Sequence, residues 1–380
     1  MSLNNNLNQL NLNSKFSNVH TQIAKGLAAS LMVYYHLYFY KKQNKKHCIH
    51  EFGLDFTKSF TIYSKICTGI YVFLTGLGFY YSLVKINSLK EMYKKIFYNF
   101  LKLILNFYVI LFLFFRFGLK AKIFSFNKNI LKQIIFFSYK RFNIWWYMRQ
   151  YFILLCYAPL FIRFFQNISV KRKVFPFLIF YVCYMILHYI DINFKSKSVN
   201  YNIFHSYFEK IINHKIIFLF LSGIFCARFN IMSNYEIVDK IDKIIFYFFS
   251  IFTSIYFRKI IVNYDNDTKL DFVCVPLLIF PFCYAVESIN ILKIIFLFLG
   301  KHSTNIWLIH GYWIYETIVP KKILYLPKYS FLIWLWILIL TIISSYIVNL
   351  ILIPLTNIVF KKKLNYEGYF FIDLKKKKKL

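Results

Sequence analysis

Four ionisable side chains sit where long apolar stretches would hide them. Lys25 and His36 lie in TQIAKGLAASLMVYYHLYFY, and His310 and Glu316 follow Ser303 in a second such stretch. Ionisable groups inside hydrocarbon are costly, so they mark candidate sites for proton transfer or for binding of ions and substrates. Lys25 and His36 are separated by three helical turns with about 20° of drift, so a helix puts both on one face, with His36 about 16 Å further along. Two plainer readings compete with a functional one. Lys25 can snorkel to head groups, and His36 can be a core histidine bonded to a neighbouring helix. In the run Gly300-Lys301-His302-Ser303-Thr304-Asn305-Ile306-Trp307-Leu308-Ile309-His310, Gly300 is expected to close a lead-in helix and Ser303 or Thr304 to cap a new one. His310 then lies about two turns inside, with Glu316 beyond it on the same helix. A third cluster, Trp145-Trp146-Tyr147-x-Arg149-x-Tyr151, reads as an interfacial aromatic belt. Arg149 within it would suit an anionic ligand or a pair with Glu316.

The rest of the chain explains why these residues stand out. Of 380 residues, 59% are hydrophobic and only 17% charged, against about 25% charged in ordinary soluble domains. The mean hydropathy is +0.49. Apolar runs of about 20 residues, each able to cross a hydrocarbon layer of about 30 Å, recur from end to end. An all-α polytopic membrane protein is the expected class, because a barrel strand would alternate with period two and these runs do not. Ten spans are predicted, at about 22–40, 61–84, 97–117, 145–165, 174–192, 214–229, 243–262, 270–287, 303–319 and 331–359. The stretch 291–300 is too short to span and reads as an interfacial helix leading into the ninth. Residues 1–20 are expected to be a disordered, Asn-rich polar tail, without the apolar core of a signal peptide. Residues 21–360 hold the membrane domain, and 361–380 form a basic tail.

The net charge of +33 fits a surface facing anionic lipid head groups. Nucleic-acid binding is not expected, because the aromatics that would stack on bases lie inside the apolar spans. Both sets of loops are basic, so the lysines at 361–363 and 375–379 decide the orientation, and they place both termini in the cytoplasm. Seven scattered cysteines without a C-x-x-C pair indicate neither a disulfide framework nor a zinc site. His47-Cys48-x-His50 offers too few ligands to change that, and no metal is expected. Nor is there a nucleotide-binding loop, a zinc-protease helix or a nucleophile elbow.

Five segments, taken in order, resemble the acyltransferase-3 family of integral membrane acyltransferases. IAKGLAASLMVYYHLYF is similar to that family's first helix, in which a basic residue precedes a histidine by eleven positions, matched here by Lys25 and His36. ICTGIYVFLTGLGFYYSL resembles the second helix, with Thr75-Gly76 in its Ser-Gly place. YKKIFYNFLKLILNFYVIL resembles the basic segment opening the third, with Lys94, Lys95 and Lys102 where arginines are common. NIWWYMRQYFILLCYAPLF and FLGKHSTNIWLIHGYW resemble a fourth and a late helix. The chain departs from the pattern at Tyr35, where a second histidine is frequent, and at Gly69, where many members carry an acid.

The resemblance implies transfer of an acyl group, usually acetyl, from cytoplasmic acyl-CoA to a hydroxyl of a glycan or similar acceptor, with no bound cofactor. It implies His36 as general base and Lys25, with Lys95 and Lys102, as a cationic surface for the polyanionic acyl-CoA. Trp146, Arg149, Tyr151, Ser303, Trp307, His310 and Glu316 complete the candidate substrate-binding set. The expected location is the plasma or cytoplasmic membrane. A multi-span transporter or lipid-linked glycan flippase is the alternative, which midplane Gly or Pro pairs would favour.

Overall fold

The structure, a computed structural model, describes residues 16–39, 49–120, 146–168, 214–231, 240–265, 270–314 and 321–360. Among these the chain is all-α, the one ladder contact being a parallel bridge between Ile49 and Tyr329. In chain order the helices are α1 (Asn18–Phe39), α2 (Leu54–Ser64), α3 (Ile66–Leu83), α4 (Leu89–Lys120), α5 (Trp146–Asn167) and α6 (His214–Arg228). They continue with α7 (Lys240–Asp265), α8 (Asp271–Ser288), α9 (Asn290–Ile314), α10 (Lys321–Leu324) and α11 (Ser330–Phe360). The predicted span 174–192, residues 1–15, the tail 361–380 and His47-Cys48 lie outside the described residues, whereas 16–20 of the expected polar tail are described, with Phe16 and His20 buried and α1 already begun at Asn18.

Among the described residues, four segments are long and apolar enough to cross a membrane: Leu54–Leu83 (α2 with α3), Leu89–Arg116, Asp271–Ser288 and Ser330–Phe360. Their polarity is inside out compared with a soluble helix. On α11, Thr341 and Ser345 are fully buried while Ile343, Ile347 and Leu350 are about half exposed. On α7, Arg258 is 1% exposed, whereas Phe249 and Phe252 are each two-thirds exposed. Apolar side chains turned outward and polar ones inward are what a hydrocarbon solvent selects.

One expectation fails. No break separates residues 291–300 from the span after them, because α9 runs unbroken from Asn290 to Ile314. Gly300 does not end a helix, and Ser303 and Thr304 lie within one rather than capping it. The glycine has another use. A Cβ there would land on the backbone of Gln22, and one at Gly26 on the carbonyl of Phe296, so the two glycines let α1 and α9 approach closely.

The described residues fall into two compact units. The first draws on 1–28, 63–94 and 147–300, the second on 29–62, 95–146 and 301–380. In the first, α3 and α6 pack through a reciprocal pair of glycines: a Cβ at Gly76 would meet the carbonyl of Phe220, and one at Gly223 the carbonyl of Phe73. The buried Arg258 guanidinium bonds Asp271 through Nε at 2.8 Å and donates from Nη1 to the carbonyl of Tyr63 at 2.9 Å, joining α7, α8 and the end of α2. His20 meets Glu287 at 2.6 Å, and Lys293 reaches the same carboxylate at 3.3 Å. Pro276 and Pro281 both lie inside α8, which continues through them.

In the second unit, Glu51 accepts a bond from the Ser330 hydroxyl and another from the Phe331 amide at 3.0 Å, fixing the start of α11. The phenol of Tyr38 donates to the carbonyl of Ser330 at 2.6 Å, and Trp334 donates to the carbonyl of Ser30 at 3.0 Å. These bonds hold the last turns of α1 against the first turns of α11.

Candidate functional site

The most concentrated polar chemistry inside apolar helices lies in the second unit, where α1, α4, α9 and α11 meet. From α1, the half-buried His36 ring stands 4.8 Å, centroid to centroid, from the ring of His310 on α9. His310 is 1% exposed. Its Nδ1 lies 2.7 Å from the carbonyl oxygen of Trp307 and 3.2 Å from that of Ile306, one turn back on the same helix. The half-buried Tyr35 ring flanks His36 edge-on at 5.1 Å.

A chain of neutral polar side chains runs along α9. Asn106 of α4 donates to the Asn305 amide oxygen at 2.8 Å, and Asn305 donates to Ser345 Oγ at 2.8 Å and to Asn349 at 3.0 Å. His302 Nδ1 meets the same Ser345 hydroxyl at 2.8 Å, and Trp313 donates to Ser344 at 3.0 Å. Inside hydrocarbon such bonds have no water to compete with, so they fix the rotation of each helix. They set which face of α9 turns inward, and His310 is carried on that framework. Sequence reasoning overlooked this set. Its signal was an asparagine in each of three apolar runs, at 106, 305 and 349.

The remaining candidates are dispersed. Ser303 is buried on α9, and Trp307 contributes its carbonyl to His310. Lys102 is half-buried in the second unit, with its ammonium 4.5 Å over the Tyr98 ring and 5.9 Å from that of Phe360. Lys95, two turns earlier on the same face of α4, is exposed. Lys25 belongs to the first unit, as do Arg149 and Tyr151. There Arg149 is exposed, and the half-buried Tyr151 sits beside the rings of Tyr147 and Phe79. Trp146 opens α5. Glu316, and with it the suggested pair to Arg149, lies outside the described residues.

A neutral imidazole buried among apolar helices has a free nitrogen lone pair with which to accept a proton from a bound hydroxyl. Among the described residues no group of three or more His, Cys, Asp or Glu could hold a metal ion. In comparisons with known proteins, no family model, no curated protein and no solved structure matches the chain.

Proposed function

We propose that the chain is an integral membrane O-acyltransferase of the acyltransferase-3 type. It would cross the bilayer ten times with both termini in the cytoplasm, and move an acyl group, acetyl first among candidates, from acyl-CoA to a hydroxyl of a glycan or similar acceptor. The observation that carries this reading is the ring contact of His36 on α1 with the buried His310 on α9. A thioester is already activated, so the protein has to supply a base for the attacking hydroxyl and a setting for the developing oxyanion. His36 takes the hydroxyl proton as the oxygen attacks the thioester carbon. The C–S bond then breaks, and the proton leaves with the thiolate as free CoA thiol. Ammonium groups act as point charges for the phosphates of acyl-CoA, and Lys95 and Lys102 in the second unit and Lys25 in the first are the candidates to supply them. Among the described residues, α8 runs unbroken through Pro276 and Pro281, so this pair of prolines does not supply the discontinuous helix that a transporter reading would draw on.

The test is transfer of radiolabelled acetyl from acetyl-CoA to endogenous acceptors in membranes containing the full chain. Transfer should fall by about 10²–10⁴-fold in His36→Gln at matched expression, because glutamine fills the site but cannot accept the proton. Absence of transfer by the unaltered protein, or full turnover by the variant, would overturn the proposal.

A further inference from the structure

In the first unit, a cavity of about 150 Å³ lies between α5, α6 and α8. Its inner wall is buried, with Phe165, Leu221 and Phe280 each at most 5% exposed. Its mouth is on α8, a helix long and apolar enough to cross a membrane, where Leu277 is 41% exposed. Only Ser222 and Cys226 bring polar side-chain atoms to the lining. The Ser222 hydroxyl already donates to the carbonyl of Leu219 on its own helix at 2.8 Å, and a thiol is a weak donor. Such a lining selects hydrocarbon, and apolar space of this size holds no stable water.

The same stripe of α6 ends in a cation. Arg228 follows Leu221 by seven residues and Phe225 by three, which keeps it on their face, about 10 Å nearer the helix end than Leu221. Its Nη2 donates to the carbonyls of Gln166 at 3.1 Å and Ile168 at 2.8 Å, just after Phe165 of the cavity wall. Its Nε is buried and has no hydrogen-bond partner among the described residues. The half-buried Arg163 donates from Nη1 to Gln166 Oε1 at 3.4 Å. Gln166 Nε2 in turn donates to the carbonyl of Val84 at 2.7 Å, beside the exposed Lys85. The described partners of both guanidiniums are neutral, the Tyr80 phenol included. Capping of the α5 carbonyls accounts for one edge of Arg228. It leaves the Nε–H and the gathered positive charge without a counterpart.

We propose that the cavity and its arginine rim form a binding site for an anionic phospholipid. One acyl chain enters past Leu277 and fills the apolar space, and the lipid phosphate meets Arg228 and Arg163. A guanidinium presents donors in a planar fork that matches phosphate oxygens, and basic pockets between membrane helices hold anionic head groups in this way. The chain supplies affinity through burial, and the unbalanced positive charge supplies preference for a lipid of net negative charge over a zwitterionic one. The site is independent of the acyl-transfer reading.

The experiment titrates the full chain, delipidated in detergent, with dioleoyl phosphatidylglycerol or dioleoyl phosphatidylcholine and counts bound lipids by native mass spectrometry. The first phosphatidylglycerol should bind about 10- to 100-fold more tightly than the first phosphatidylcholine, the value of one charge-assisted contact. Arg228→Gln should remove that preference. Leu277→Trp, which closes the mouth from the exposed face of α8, should weaken binding of both lipids. Glycerophosphoglycerol, the head group without its chains, should fail to displace the bound lipid. Equal affinity of the unaltered protein for the two lipids would mean a neutral-lipid surface and would overturn the proposal. So would displacement by glycerophosphoglycerol, or undiminished phosphatidylglycerol binding in either folded variant. If circular dichroism shows that Arg228→Gln does not fold, for want of its bonds to α5, the lipid preference of the unaltered protein and the Leu277→Trp titration still decide.

Discussion

Lys25 and His36 share α1 but fall in different compact units, so at the level of single residues their roles can be separated. A cation that only anchors phosphates should tolerate replacement by another cation. Lys25→Arg is expected to keep most acetyl transfer, whereas Lys25→Ala should raise the KM for acetyl-CoA by about 10- to 100-fold, the loss of one charge-assisted contact, with kcat little changed. A matching collapse of kcat would show instead that Lys25 takes part in the chemical step. The cost of an ionisable group in hydrocarbon was enough to pick out His36 and His310 from the sequence, because few such groups occur in apolar runs. Their contact was not legible, since 274 positions separate them and no local spacing encodes it. Asn106, Asn305 and Ser345 escaped for a different reason. Neutral amides and hydroxyls are cheaper to bury than charges, so they stand out less in an apolar run, and their value comes only from partners on other helices.

Among the helices, small residues decide how closely two rods can pack, and one helix supplies its own control. Gly76 of α3 faces the backbone of α6, whereas Gly78, two positions on, is exposed with open space where a side chain would go. Gly76→Ala should destabilise the fold by about 1–3 kcal/mol, because a methyl group driven against a carbonyl must push the helices apart. Gly78→Ala should be neutral or slightly stabilising, as alanine is the better helix former. Thermal unfolding in detergent, followed by far-UV circular dichroism, distinguishes the two. Equal melting temperatures would show that the α3–α6 contact is not tight. The same principle accounts for the misread boundary at Gly300. Glycine after an apolar run fits a helix stop and a close helix crossing equally well. Only the neighbouring backbone of Gln22 separates the two.

Taken as a whole, the chain's helical character and apolar exterior were legible because composition and run length are averages that survive errors at single boundaries. Topology is a different kind of quantity. It depends on the number of crossings, and lysines on every loop leave little contrast between the two sides. The basic tail breaks that balance, since a cluster of five lysines at 375–379 would have to be dragged across the bilayer to lie outside. A reporter that fluoresces only in the cytoplasm should therefore be bright when fused after Leu380, and alkaline phosphatase, active only outside, should be silent there. The N-terminal fusions should give the same pair of results if the chain makes the ten crossings proposed, because an even number returns it to its starting side. Opposite signals at the two ends would mean an odd number of crossings. In that case α9 would run through the membrane in the reverse sense with respect to one terminus, and the side on which acyl-CoA meets the histidine pair would have to be assigned anew.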